Sequence, residues 1–119
     1  MPVSLQQRKV LDYKRCYELR SKERVSIYNI PEILAREGIV NSRKGKNLTP
    51  QAVWRASWIY ALENIAEAKK DDEAHFRQYG VVFDESAWYK EMIGKAQQLF
   101  SRRKYQQYMN NHSYLKAYE

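Results

Sequence analysis

A single cysteine, Cys16, leaves the chain without an internal disulfide and without the thiolates a cysteine-based zinc cage needs. Long apolar runs are missing too. The longest, Trp58 to Leu62, has five residues, whereas a membrane helix needs about 20 and a signal-peptide core about 7 to 15, so neither is expected. Four glycines and three prolines are few for 119 residues and argue against a loop-rich or disordered chain. A chain of this length buries roughly 65% of the surface its unfolded form exposes, so its core needs no staples. Glycine-rich phosphate loops of the P-loop or dinucleotide type are absent. The two histidines, His75 and His112, stand 37 positions apart with no cysteine partner, so they read as packing or surface residues, and neither a metal nor a cofactor is expected. No constellation of catalytic residues emerges, and the chain reads as a non-enzyme.

What is abundant is aromatic and basic. Ten tyrosines and three tryptophans accompany a net charge of +7. Residues 1–60 hold 12 Lys and Arg against five acids, and residues 61–119 hold nine against nine. The whole excess therefore sits in the first half, and a one-sided positive field attracts polyanions. A folded, soluble, basic, cytoplasmic protein is the expectation.

The apolar spacing predicts an all-α fold: a compact helical domain with a long amphipathic C-terminal helix. A helix is expected over 4–22, with a capping-box pattern at Ser4 and Gln7. A second, over 26–38, has Asn29 and Glu32 at capping-box spacing, Pro31 in its first turn and Gly38 as a left-handed stop. Residues 39–48 read as a loop. Thr49-Pro50 then opens a helix expected to reach Lys69-Lys70. Asp71-Asp72-Glu73 would cap a short helix ending at Tyr79-Gly80. Asp84 or Ser86 would start the last helix, 86–109, and residues 110–119 read as frayed. Two regions follow, 1–70 for binding and 71–119 as a C-terminal helical region packing on it. Trp88, Met92 and Leu99 lie on the stripe of the last helix. That stripe is wide enough for two sides, and the neutral half is the natural surface for a homodimer.

The order of short helix, glycine, loop and Thr-Pro-capped helix matches a helix-turn-helix. The run Ile30-Pro31-Glu32-Ile33-Leu34-Ala35-Arg36-Glu37-Gly38-Ile39-Val40, then Arg43-Lys44-Gly45-Lys46-Asn47-Leu48-Thr49-Pro50-Gln51-Ala52-Val53, resembles the DNA-binding segment of serine recombinases and resolvases. It differs at Pro31, where that family usually has alanine, and at Leu48, where it often has tryptophan. The likeness covers about 30 of the 119 residues. It includes no catalytic serine motif, and so implies a DNA-reading module rather than recombination. It implies that Gln51, Ala52 and Arg55 face base edges, that Thr49 and the helix start hold a phosphate, and that Arg43, Lys44 and Lys46 touch phosphates or enter the minor groove.

The resulting expectation is a small double-stranded-DNA-binding protein, a transcription regulator or DNA-binding accessory factor. The alternative is a protein-binding module, an inhibitor or adaptor of a host protein or an RNA polymerase, anchored by Trp88, Tyr89, Tyr105 and Tyr108. RNA binding is a third reading. Trp54, Trp58 and Tyr60 have spacing suited either to a helix core or to stacking on bases.

Overall fold

The computed structural model describes residues 11–39 and 48–119, and every regular element among them is helical. The chain divides into two compact units, Met1–Asn64 and Ile65–Glu119. No helix among the described residues is long and apolar enough to cross a membrane.

In the first unit, α1 (Tyr13–Tyr17) is capped by the Asp12 carboxylate, which accepts from the Arg15 N–H at 3.1 Å. It widens into a π-helical turn, Glu18–Lys22, where the Glu23 N–H donates to the Glu18 carbonyl at 2.9 Å. The helix expected over 4–22 is thus not continuous: Asp12 is extended and starts a new helix at Tyr13, which changes pitch midway, while Ser4 and Gln7 lie outside the described residues. Helix α2 is Ile30–Arg36. The expected Asn29 side-chain cap is not made. A backbone turn replaces it, in which the Ser26 carbonyl accepts from the N–H groups of Asn29 and Ile30 at 2.9 and 3.2 Å. Gly38, at φ +83°, supplies the left-handed stop. The Ile39 N–H then reaches the Leu34 carbonyl and the Gly38 N–H reaches that of Ala35, satisfying two end carbonyls.

Helix α3 (Pro50–Glu63) begins as the sequence predicts: the Thr49 hydroxyl oxygen accepts from the Ala52 N–H at 3.1 Å. It stops earlier than expected, because Asn64 turns its side-chain amide onto the Tyr60 carbonyl at 3.0 Å and leaves helical geometry. Both α1 and α2 pack on α3. Their shared core is Cys16, Leu19, Ile30, Leu34, Ile39, Val53 and Ala56. The one fully buried hydroxyl of α3, on Ser57, is satisfied twice. It accepts from Arg20 Nε at 2.8 Å and donates to the Trp54 carbonyl at 2.9 Å. Arg15 ties α1 to the end of α2 by a two-pronged bond to Glu37 (2.8 and 3.0 Å) and a third to Glu23 (2.9 Å). These carboxylates raise the arginine's affinity for its proton still further.

Cys16 is fully buried. Burial first, and the nearby Asp12 charge second, push its thiol up to about 11. At pH 8, alkylation of native Cys16 by iodoacetamide should run at least about 100-fold slower than in the denatured chain, because only the thiolate reacts. Holding the thiol protonated stabilises the fold below the ordinary thiol range, and that contribution is lost as pH rises towards about 11. Equal alkylation rates in the native and denatured chain would contradict this.

In the second unit, α4 (Ile65–Gln78) absorbs the acidic cluster instead of starting after it. Gly80, at φ +67°, ends it with the same pair of bonds, Val81 N–H to Phe76 and Gly80 N–H to Arg77. Val81 to Phe83 form no regular element. Helix α5 (Glu85–Leu99) is capped by Asp84 through the Ala87 N–H at 3.1 Å. The helix expected over 86–109 is two helices, because Phe100 is extended and the Ser101 hydroxyl caps α6 (Arg102–Asn111) through the Lys104 N–H. Residues 113–118 are not frayed. They form a 3₁₀ helix, Ser113–Tyr118, packed on α5 and α6 with Leu115 fully buried.

Candidate nucleic-acid interface

Helix α3 has two unlike faces. Val53, Ala56 and Ser57 are buried, while Gln51 and Arg55, one turn apart, are exposed. Ala52 is half-buried and its N–H is spent on the cap. Thr49 is exposed, its oxygen accepting that bond and its hydroxyl proton still available to donate. The first two turns of α3 thus bring Thr49, Gln51 and Arg55 to solvent near the helix start, where backbone N–H groups favour anions. The loop cations Arg43, Lys44 and Lys46 lie outside the described residues.

The aromatics of α3 divide between packing and surface. Trp58 is half-buried beneath the Arg20 guanidinium, 4.1 Å above its ring centroid, and Tyr60 lies 4.9 Å from Tyr17. Trp54, also half-buried, lines a groove of about 300 Å³ with Ile27, Tyr28, Pro50 and Gln51. Tyr28 is 76% exposed. The sequence reading missed Ile27 and Tyr28. A tyrosine just before a proline-containing helix was the available signal, but nothing local pairs position 28 with position 51.

In the second unit the three stripe residues of α5 differ in exposure. Trp88 and Met92 are buried and Leu99 is half-buried. The Trp88 indole N–H donates to Asp72 at 2.7 Å, and its ring lies 6.2 Å from Phe83 and 5.3 Å from Tyr89. Trp88 is thus taken up by packing within its own unit, and part of Leu99 reaches solvent. Tyr108, another expected anchor, is buried against Phe100 and stacks on His112 at 4.2 Å. His75 packs edge-on to Tyr79 at 4.9 Å. Among the described residues no group of three or more His, Cys, Asp and Glu is placed to hold a metal.

A second recess, about 320 Å³, is lined by Ile65, Ala66, Lys69, Lys70, Glu73, Tyr89 and Tyr114. Its Lys69 ammonium is already bonded to Glu85 at 2.8 Å and Glu73 at 3.3 Å, which together raise its pKa and leave little pull on an outside anion. No protein-family model, curated protein or solved structure matches the chain.

Proposed function

We propose that this chain is a small, non-enzymatic double-stranded-DNA-binding protein, a transcription regulator or accessory factor that reads the major groove with α3. The observation that carries the reading is the two-faced start of α3. Gln51 and Arg55 stand exposed one turn apart on a helix whose other face is locked into a core with α1 and α2. Their forked donors and acceptors match adenine and guanine edges. Charge supports it as well. Residues 1–64 hold 12 Lys and Arg against six acids, residues 65–119 nine against eight.

The test is a gel shift on random duplex DNA followed by selection of bound sequences. Arg55→Ala should relax sequence preference by about 1–3 kcal/mol at one position, whereas Lys44→Ala should weaken all sequences alike. Identical preferences and equal affinity losses in the two variants would refute the assignment of roles.

One observation favours a second reading, a protein-binding module. Tyr79, Val81 and Val82 are exposed in one short connector, Val82 at 89%, and clustered exposed apolar residues mark contact sites. A chain that binds no duplex at low salt would favour this surface over α3.

A further inference from the structure

The groove beside α3 has a definite chemistry. Its walls are the rings of Tyr28, Trp54 and Pro50 and the aliphatic Ile27, and its polar side chain is the amide of Gln51. Pro50, Gln51 and Trp54 share one face of the first two turns of α3. Tyr28 comes from the turn before α2, held by its own N–H on the Ser26 hydroxyl at 3.3 Å and by the bonds from Asn29 and Ile30 to the Ser26 carbonyl. The exposed ring is thus carried on a fixed backbone.

We infer that this groove receives an unpaired nucleobase of DNA. Flat rings suit a π-face, and stacking of this kind accepts any base. The amide sets a donor and an acceptor side by side, as the Watson–Crick edge of an unstacked base requires. The groove belongs to the unit with the excess of cations, and Arg55 lies one turn beyond Gln51, so the phosphates flanking such a base meet positive charge. An apolar peptide would find the same walls but would gain nothing from that charge. The inference rests on the DNA-binding reading and deepens it: the same start of α3 that meets the edges of paired bases also holds an unpaired one in the groove beside it.

The experiment uses the full chain and three probes of one sequence: a plain duplex, the duplex with a single unpaired 2-aminopurine, and the single strand carrying 2-aminopurine. The bulged duplex should bind about tenfold tighter than the plain one, with quenched 2-aminopurine fluorescence, as one added stacking contact provides. Tyr28→Ala should remove both the preference and the quenching while leaving plain-duplex affinity within about twofold, and Tyr28→Phe should restore them. Equal binding of bulged and plain duplex, unquenched fluorescence, or a preference that survives Tyr28→Ala would overturn the inference and leave duplex reading by α3 intact. Quenched binding of the single strand with no binding of plain duplex would support the groove and remove the duplex reading. No binding of any probe would overturn both.

Discussion

Raising monovalent salt from about 50 to about 200 mM should weaken duplex binding by roughly 500-fold, because about four to six phosphate contacts per copy give a log–log slope of about −4 to −5. The basis is the distribution of charge, with the entire +7 in residues 1–60. Three of the acids there are engaged by arginine: Glu23 and Glu37 with Arg15, and Glu32 with Arg36 at 2.9 Å. Arg36 and Glu32 are an exposed pair one turn apart, a geometry worth little to stability, so a nearby phosphate competes for that arginine at small cost. Anisotropy titrations of a labelled duplex at several salt concentrations measure the slope. A flat dependence would show that the positive half does not hold a nucleic-acid backbone, and the α3 reading would fall with it.

Leu115→Ala should destabilise the fold by about 2–5 kcal/mol, the range for a fully buried leucine whose removal leaves a cavity. Leu115 lies in the terminal 3₁₀ helix, and that segment is fastened at several points. The Tyr118 ring sits 4.8 Å and the Tyr114 ring 6.0 Å from Tyr89, and the His112 imidazole nitrogen Nδ1 lies 2.8 Å from the Tyr108 carbonyl. Removing residues 112–119 should cost more than the single substitution, since it also uncovers the rings of Tyr89 and Tyr108. Urea unfolding followed by circular dichroism reads both. A truncated chain with an unchanged midpoint would mean that the docked terminus contributes nothing.

Helix starts and stops were legible wherever one side chain settles them locally. Thr49-Pro50, Asp84, Gly38 and Gly80 do what their chemistry dictates within three or four residues. The breaks were not legible where no Gly or Pro marks them. The stripe from Trp88 ends at Phe100, and no Gly or Pro follows to mark the stop before 109, yet the Ser101 hydroxyl accepts from the Lys104 N–H and starts a new helix. Asn64 does the same by taking the Tyr60 carbonyl. The terminal segment looked frayed because its order depends on partners well back in the chain, such as Tyr89 for Tyr118. The wide stripe of α5 was visible, but not that aromatic neighbours and Asp72 take up Trp88. In the candidate site, exposure of Gln51 and Arg55 follows from helical period, whereas the groove joins residues 23 positions apart, a distance no local pattern spans.

The division of labour on α3 also bears on how such a chain can change over generations. Val53 and Ala56 are bound to the core, and their replacement would be felt as lost folding. Gln51 and Arg55 stand outside that core, so most substitutions there are nearly neutral for stability. Under the proposed DNA-reading role, recognition could drift at these two positions while the scaffold stays under selection, giving one fold a lineage of altered targets.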